Sequence, residues 1–355
     1  MRPHRLAPHL LLSAAVLAFP LAAGPSGTLV VLNKSGATAW LLDPESGARL
    51  ASVPTGEGPH EVDVTPDGRL AVVTNYGSSN APGSTLTLID LAAGTAAGTI
   101  DLGAHRKPHG VHVLPDGKRA VVTAEASQAL LVVDLVERKV VSAIPTGEKV
   151  SHMVALSPDG KTAFVSSIGS GTVTAIDLAK GEKTKTVKTG EGAEGIAVAP
   201  DGREVWVGNR ASDTLTVLDA ATLETKRTIP CAQFPIRLEI SPDGATLLAS
   251  NARSGDVAVF DAKAGKELRR VKMPMAAATT EGRLFADRFG KSPVPIGLLV
   301  PPAGKVAFVA NSNADAVVVF DLATGEILRT LPTGAEPDGL AWTPLRPSEK
   351  IAETK

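Results

Sequence analysis

The sequence of 355 residues contains a single cysteine, Cys231, and few aromatic residues, which make up 3% of the chain. One cysteine excludes an intramolecular disulfide and any CxxC metal or redox site. Basic and acidic residues nearly cancel, 36 against 37, so neither a nucleic acid nor an anionic membrane is an expected partner. After the N-terminus no apolar run is long enough to span a bilayer. The 34 glycines and 26 prolines instead indicate a chain rich in turns.

The N-terminal segment has the layout of a secretory signal peptide. Arg2 and Arg5 precede an apolar stretch, Leu10–Leu21, and two small residues end the segment at position 23. The apolar stretch is shorter than the roughly 20 residues of a membrane span. We therefore expect residues 1–23 to be removed and the mature protein to be exported, either periplasmic or secreted. An uncleaved N-terminal anchor is the alternative.

A repeat of about 42 residues accounts for the rest of the chain. Its first marker is the tripeptide Pro-Asp-Gly, spaced by 49, 43, 42 and 42 residues and beginning at Pro66, Pro115, Pro158, Pro200 and Pro242. A degenerate copy follows at Pro302, and a remnant at Pro344. Its second marker is an aspartate that ends an apolar run in each copy: Asp43, Asp90, Asp134, Asp177, Asp219, Asp261 and Asp321. We expect this aspartate to form an Asx-type turn.

Each repeat reads as four short strands bounded by turn residues. In one copy the strands are predicted at Gly195–Ala199, Glu204–Asn209, Thr214–Leu218 and Lys226–Pro230. Several copies carry a proline in the fourth strand, which predicts an edge strand because proline has no N–H to donate. Repeated four-stranded units of this length predict an all-β fold, the β-propeller.

The number of blades follows from the two ends of the repeat region. Residues 29–55 supply three strands without a first strand, and Gly339–Thr343 supply a first strand alone. Together they make one blade, and six complete copies lie between them. The prediction is a seven-bladed ring over residues 24–345, closed by the C-terminal strand joining the N-terminal blade. A flexible tail is predicted at 346–355.

The second strands resemble those of YVTN-type β-propeller repeats. They read Val72-Val73-Thr74-Asn75, Val207-Gly208-Asn209 and Val309-Ala310-Asn311, and they occur together with the Pro-Asp-Gly turns. The chain is also similar to the seven-bladed lactonase family, which shares the Pro-Asp-Gly turn and a histidine before the strand. The first resemblance implies an exported binding or scaffold protein. The second implies, as an alternative, a lactonase-like hydrolase acting on a small lactone.

One position of the repeat collects ionisable residues. It lies where the first strand of each blade enters the central channel, and it is occupied by His60, His109, His152, Glu194, Ile236, Ile296 and Asp338. We call these seven residues the channel column. Its ionisable members, with the neighbouring Arg237 and with Tyr76 at the end of a second strand, form the predicted ligand site at the channel rim.

The three histidines of the channel column are the candidate metal ligands. Imidazole nitrogens beside a carboxylate suit Zn or Cu, so we expect His60, His109 and His152 to hold such an ion. An anionic ligand beside Arg237 is one alternative, and a water-filled channel without a specific ligand is another. No cofactor other than Zn or Cu is predicted.

The hydrolase alternative assigns further roles to the same rim. His109 or Glu125 would activate water, and Arg210 or Arg237 would stabilise the developing oxyanion. The sequence lacks GxSxG, HExxH and P-loop motifs, which favours a non-enzymatic role. We expect a protein partner or a small molecule at the rim, and the oligomeric state stays open. An insertion at Met275–Val294 lies on the same rim and could act as a lid or a docking segment.

Overall fold

A computed structural model describes residues 26–275 and 282–348, which form seven four-stranded antiparallel sheets arranged as the blades of a β-propeller. The predicted signal peptide and the end of the predicted tail lie outside the described residues. The prediction of an all-β, seven-bladed ring is confirmed. In the described part of the chain, no helix is long and apolar enough to cross a membrane.

The strands are numbered along the chain and grouped here by blade, from the channel outward. Blade 1 consists of β28 (Pro337–Thr343), β1 (Thr28–Asn33), β2 (Thr38–Leu42) and β3 (Arg49–Pro54). Blade 2 consists of β4 (Pro59–Val64), β5 (Leu70–Gly77), β6 (Pro82–Asp90) and β7 (Thr95–Asp101). Blade 3 consists of β8 (Pro108–Val113), β9 (Arg119–Ala124), β10 (Ala129–Asp134) and β11 (Lys139–Pro145). Blade 4 consists of β12 (Ser151–Leu156), β13 (Thr162–Ser167), β14 (Thr172–Asp177) and β15 (Glu182–Lys188).

The remaining blades follow the same order. Blade 5 consists of β16 (Ala193–Val198), β17 (Glu204–Asn209), β18 (Thr214–Asp219) and β19 (Thr225–Pro230). Blade 6 consists of β20 (Pro235–Ile240), β21 (Thr246–Asn251), β22 (Asp256–Asp261) and β23 (Lys266–Lys272). Blade 7 consists of β24 (Pro295–Leu299), β25 (Val306–Asn311), β26 (Ala316–Asp321) and β27 (Ile327–Pro332). One short helix, α1 (Ala286–Phe289), and two 3-10 turns, Glu125–Ser127 and Ser312–Ala314, complete the described elements.

The ring closes as the sequence predicts. The C-terminal strand β28 pairs antiparallel with β1, with Leu29 opposite Trp342. This pairing removes the free inner edge that the incomplete first blade would otherwise expose. Beyond β28 the chain continues along the surface as far as Ser348, whose N–H donates to the carbonyl of Ala92 at 2.8 Å.

The two turn markers have the roles that their chemistry predicts. In the Pro-Asp-Gly turn of blade 6, Gly244 takes φ +69° and its N–H donates to Ser241 O at 2.8 Å. Asp243 Oδ1 accepts the N–H of Ala245 at 3.0 Å. The aspartate of the second marker accepts backbone N–H groups two and three residues ahead, as Asp219 does. Both are Asx-type arrangements that fix a tight turn.

The core lies between adjacent blades. The two middle strands of each sheet are covered on both faces, so they read as nearly continuous apolar runs. Between blades 5 and 6, for example, Trp206, Leu215 and Phe260 are almost completely buried. The outer strand β19 ends at Pro230 and forms the blade edge, as the proline predicts.

A β-bulge at the channel positions the column residue in every blade. In β16 the pairing with β17 jumps from Ala193 to Ile196, so that Glu194 and Gly195 oppose a single partner residue. The inner strands β4, β8, β12, β24 and β28 show the same shift. In β20 only Ile236 is unpaired, because Arg237 pairs with Ser250. The unpaired residues of each bulge therefore project into the channel.

In four of the seven blades, a hydroxyl of the preceding blade satisfies the carbonyl of the column residue. The donor lies on the second strand of its blade, and the pairs are Thr74 to His109 O, Thr123 to His152 O, Ser166 to Glu194 O and Ser250 to Ile296 O. Because a buried carbonyl without a partner destabilises a fold, these bonds replace the ladder hydrogen bond that the bulge interrupts. They also connect neighbouring blades.

Candidate functional site

The channel column lines a chamber of about 120 Å³ at one mouth of the channel. All seven of its residues contribute to the chamber wall: His60, His109, His152, Glu194, Ile236, Ile296 and Asp338. Lys34, Arg210 and Arg237 also line it. The structure thus brings the predicted rim residues together in one place.

Three histidines and Tyr76 form a stack along one side of the chamber. The ring centroids are 4.4 Å apart for Tyr76 and His60, 4.8 Å for His60 and His109, and 3.6 Å for His109 and His152. His60 Nδ1 donates to Gly58 O at 2.8 Å, because a carbonyl can only accept. Burial holds the pKa values of His60 and His109 well below the ordinary value, so both rings are neutral at pH 7.

His152 lies between two carboxylates. Its Nδ1 donates to Glu125 Oε1, and its Nε2 donates to Glu194 Oε1 at 3.1 Å. Burial alone would lower the pKa of His152, but the charge of Glu194 and the bonds to both carboxylates raise it. Burial likewise opposes ionisation of Glu194, yet His152 and two arginines lower its pKa to about 2. The three groups therefore form a charged, hydrogen-bonded row.

Glu125 reaches the chamber from the 3-10 turn that follows β9. Its Oε2 accepts the Tyr76 hydroxyl at 2.6 Å, while its Oε1 faces His152. Burial raises the pKa of Glu125, but the hydrogen bond and the charge of His152 outweigh that effect, so the net pKa is lowered. Glu125 is thus an ionised carboxylate that is 9% exposed.

Arg237 closes the channel below the chamber. Its Nε and Nη2 donate to Glu61 Oε1 at 2.9 and 2.6 Å, and its Nη1 donates to Glu194 Oε1 at 3.1 Å. The guanidinium thereby joins blades 2, 5 and 6 across the axis. On its far side a larger funnel of about 410 Å³ opens at the opposite face of the ring, where Glu61, His112 and Glu239 line the wall.

Two of the other three basic groups of the chamber, Arg210 and Lys34, are also paired with carboxylates; the third is Arg288. Arg210 donates to Glu194 Oε2 and lies 5.2 Å above the ring of Phe234. Lys34 Nζ is 2.6 Å from Asp338 Oδ2. Burial would raise the pKa of Asp338, but the charge of Lys34 lowers it below the ordinary value.

The predicted insertion covers the chamber. Phe285 and Phe289, from the start and end of α1, line it together with Phe234. Two contacts anchor this segment. Arg283 pairs with Asp315 of blade 7, and the Leu284 N–H donates to Oε1 of Glu336, just before β28, at 2.6 Å. Residues 276–281 of the insertion lie outside the described residues. We call the part from Gly282 to Val294 the phenylalanine lid.

One group of side chains in the described residues has the geometry to hold a metal ion. His109, Glu125 and His152 each offer a ligand atom, and these atoms lie within 4.8 Å of one another. Two of the three predicted metal ligands, His109 and His152, belong to this group. Glu125 completes it, whereas the predicted third ligand, His60, lies one ring further along the stack.

The candidate catalytic residues lie close together but are already engaged. Arg210 and Arg237 both contact Glu194, and Glu125 is hydrogen bonded to Tyr76 and His152. An arginine that stabilises an oxyanion must direct free N–H groups at the substrate. In the described residues neither guanidinium is free of a carboxylate.

Sequence reasoning missed Glu61 as part of the site, although it identified the insertion that carries Phe285 and Phe289 as a candidate lid. Glu61 follows the column residue in blade 2, as Arg237 does in blade 6. Four other blades carry glycine there: Gly110, Gly195, Gly297 and Gly339. A Cβ on Gly195 would lie 2.9 Å from the Cα of Arg237, so the backbone of the next blade leaves no room for a side chain there. That alternation is the signal in the sequence that could have identified Glu61.

A family model described as the cytochrome D1 heme domain matches residues 116–263, which is less than half of the chain. That family consists of eight-bladed propellers, whereas seven blades are formed by the residues described for this chain. A search of curated proteins gives no match.

Three solved structures show where this architecture occurs. Hydrazine synthase of Kuenenia stuttgartiensis is 20% identical, with a TM-score of 0.65 over 79% of this chain and 88% of that one. A functionally unknown protein of Desulfotomaculum acetoxidans is 16% identical, with a TM-score of 0.72 over 91% and 100%. The dihydro-heme d1 dehydrogenase NirN, in complex with DHE, is 16% identical, with a TM-score of 0.63 over 91% and 76%. At these identities the likeness shows the β-propeller fold and nothing finer.

Proposed function

We propose that this chain is an exported β-propeller that binds a small polar ligand or a metal ion in the chamber beneath the phenylalanine lid, and that it is not a hydrolase. The observation that carries the proposal is the convergence of seven channel-column residues and the lid on one buried, polar cavity. A buried cavity lined by convergent polar groups is the usual form of a ligand site. The signal-peptide layout of residues 1–23 supports export.

The size of the chamber limits the ligand. A water molecule occupies about 30 Å³ of liquid, so a chamber of about 120 Å³ accepts an ion with its waters or a molecule of a few heavy atoms. Most of its charged side chains neutralise each other in pairs, which leaves the neutral rings of His60 and His109 to meet the ligand. A neutral imidazole can accept a hydrogen bond or coordinate a metal.

The haem named in the matched family and in the NirN structure does not fit this chamber. Ligand pockets for molecules of drug size begin at about 300 Å³, and a tetrapyrrole is at the large end of that range. With Phe285 and Phe289 in place, the described chamber has less than half of the lower volume. We therefore propose no haem at this site.

The lactonase-like alternative gains no support from the contacts. Its oxyanion would need Arg210 or Arg237, and each of these donates to a buried carboxylate instead. The YVTN-type assignment remains a prediction from the sequence motifs, and it favours a binding role. A protein partner at the rim remains part of the proposal, because the lid presents Leu284 on the surface beside the chamber.

A pair of chamber-filling and control variants tests the proposal. Ile296→Trp adds bulk inside the chamber, while Leu298→Trp adds the same bulk two residues further along β24, in the lower funnel. We would purify the exported protein without a His-tag and measure bound metals by elemental analysis and bound solutes by mass spectrometry. Thermal shifts with Zn²⁺, Cu²⁺, acetate and phosphate would follow.

We expect the wild type to retain a ligand or to be stabilised by at least one of these probes. Ile296→Trp should lose that response, and Leu298→Trp should keep it. The proposal is wrong if no retained ligand and no response to any probe is found, or if both variants behave like the wild type.

A further inference from the structure

The group formed by His109, Glu125 and His152 deepens the proposed function, on which this inference rests. We propose that the chamber ligand is a single divalent ion of the zinc or copper type, coordinated by one ring nitrogen each of His109 and His152 and by the carboxylate of Glu125. The three ligand atoms already lie within 4.8 Å of one another. Zn–N and Zn–O bonds of about 2.0–2.2 Å place ligand atoms somewhat over 3 Å apart. The hydrogen-bonded pair of His152 and Glu125 must therefore separate slightly, and the group must close around the ion, to complete the set.

An unsatisfied nitrogen supports a missing ligand. His109 is 3% exposed, and its Nδ1 has no hydrogen-bond partner among the described residues. Buried polar atoms are nearly always paired, and an unpaired one calls for an explanation such as an ion. Among the described residues with such unsatisfied atoms, Asp338 also lines the chamber, but its carboxylate is ion-paired with Lys34, whereas His109 Nδ1 has no such partner.

The groups behind the ligands are arranged as they are in metal sites. A ligating histidine usually donates its second N–H to a carboxylate, which fixes the ring. His152 Nε2 donates to Glu194 in this way, which leaves Nδ1 facing Glu125. The ion would take the place of the hydrogen atom between His152 Nδ1 and Glu125 Oε1. Tyr76, whose hydroxyl bonds Glu125 Oε2 at 2.6 Å, would orient the carboxylate as a positioning residue.

The fixed charges of the mouth leave room for one more cation. The carboxylates that are buried there are Glu61, Glu125, Glu194 and Asp338. The buried permanent cations are Lys34, Arg210 and Arg237. The fourth carboxylate is balanced by the protonated ring of His152, and a metal ion held among the histidines would take over this role.

The donor set selects the class of metal. Two imidazole nitrogens and one carboxylate suit Zn²⁺ and Cu²⁺, whereas Mg²⁺ and Ca²⁺ prefer oxygen ligands alone. Three protein ligands leave a fourth position for water or a small molecule from the chamber. The neutral ring of His60, which stacks 4.8 Å from His109, lies beside that position without belonging to the ligand group.

Metal titration of matched variants tests this inference. Chelator-treated wild-type protein would be titrated with Zn²⁺ by calorimetry and with Co²⁺ by visible absorption, with Mg²⁺ as the control ion. The ligand variants are His109→Ala and the similarly shaped Glu125→Gln. The matched control is His112→Ala, since His112 lies on β8 with His109 but lines the lower funnel. His60→Ala tests the ligand set predicted from the sequence.

We expect one Zn²⁺ or Co²⁺ per wild-type chain and no response to Mg²⁺. The two ligand variants should bind at least about 100-fold more weakly, while His112→Ala stays close to the wild type and His60→Ala binds more tightly than either ligand variant. Tyr76→Phe should weaken binding about tenfold with an unchanged Co²⁺ spectrum, as a positioning role requires. Circular dichroism checks that each variant is folded. If a variant fails to fold, the Co²⁺ spectrum of the wild type alone still reports which donor atoms bind the ion.

Failure of this inference can be distinguished from failure of the proposed function. The inference is wrong if the wild type binds neither ion at micromolar concentration, or if His60→Ala removes binding and Glu125→Gln keeps it. If the wild type still retains a solute that Ile296→Trp loses, the chamber binds a small molecule and only the metal is excluded. If the wild type retains no such solute either, both the metal site and the proposed binding function are excluded.

Discussion

Arg237 should be the side chain whose removal most disturbs the centre of the ring. It is 7% exposed and bridges Glu61 of blade 2 and Glu194 of blade 5. Replacing it with methionine keeps a similar length but removes the charge. Glu194 would still contact Arg210 and His152, whereas Glu61 would be left without a basic partner in the described residues.

The magnitude follows from the burial of that unpaired carboxylate. Removing one partner of a buried ion pair costs about 3–5 kcal/mol of unfolding free energy. Because Glu194 keeps two partners, we expect the lower end, about 3 kcal/mol at neutral pH. Burial already raises the pKa of Glu61, and the charge of Arg237 opposes this. Without Arg237 the pKa rises further, so the stability that protonated Glu61 contributes at low pH is lost as the pH rises through that pKa. Arg237→Met should therefore be more destabilising at pH 8 than at pH 5.

Urea unfolding of a double-mutant cycle measures the effect. The cycle contains Arg237→Met, Glu61→Gln and the double variant, with Arg253→Met as an exposed-arginine control. We expect the double variant to recover most of the stability that Arg237→Met loses, because it leaves no unpaired charge. The reasoning is refuted if the double variant is as unstable as Arg237→Met, or if the loss is independent of pH.

Four further predictions concern other parts of the molecule. Burial raises the pKa of Glu239 to about 7, so its contribution to stability is lost as the pH rises through 7. Because the side chain is partly open to the funnel, the free energy of unfolding of Glu239→Gln in urea should exceed that of the wild type by about 1–2 kcal/mol at pH 8 and by nothing at pH 5. Equal increases at the two pH values would contradict this. Phe289→Ala should open the lid and speed Zn²⁺ release to a chelator at least about tenfold, whereas Leu284→Ala, which changes an exposed lid residue, should not. Haem titration should give no 1:1 Soret shift, because the chamber is too small; a stoichiometric shift lost in His109→Ala would refute the size argument. The exported protein should begin at residue 24 by intact mass, and a full-length mass would show that residues 1–23 are kept.

Much of the fold could be predicted because the same pattern of turns and strands recurs in seven copies along the chain. Pro-Asp-Gly turns and the turn aspartates mark the strand boundaries, and the predicted strands of blade 5 agree with β16–β19 to within two residues. The same register argument places His60, His109 and His152 at one level of the channel. Because the repeats close into a ring, residues at equivalent positions of the repeat lie at the same level around the channel axis.

The contacts between those positions could not be predicted in the same way. Their partners come from outside the column: Glu125 from a turn, Glu61 from the second bulge position, and Phe289 from an insertion that breaks the repeat. How far a glutamate reaches across a channel depends on rotamers and on neighbouring charges, and neither is periodic. For this reason the sequence predicts a histidine triad, although Glu125 rather than His60 joins His109 and His152 in the group with metal-binding geometry.

The bulge explains how such a regular ring can hold such an irregular site. At four of the seven bulges a hydroxyl of the preceding blade, such as Thr123, holds the carbonyl of the next column residue, here His152. The backbone is therefore fixed by a hydrogen bond that does not depend on the column side chain. A histidine, a glutamate or an isoleucine can then occupy the position without a change in the ladder. It follows that substitutions in the column should alter the chemistry of the chamber with little effect on the blades, whereas Thr123→Val should leave the carbonyl of His152 unsatisfied and disturb both.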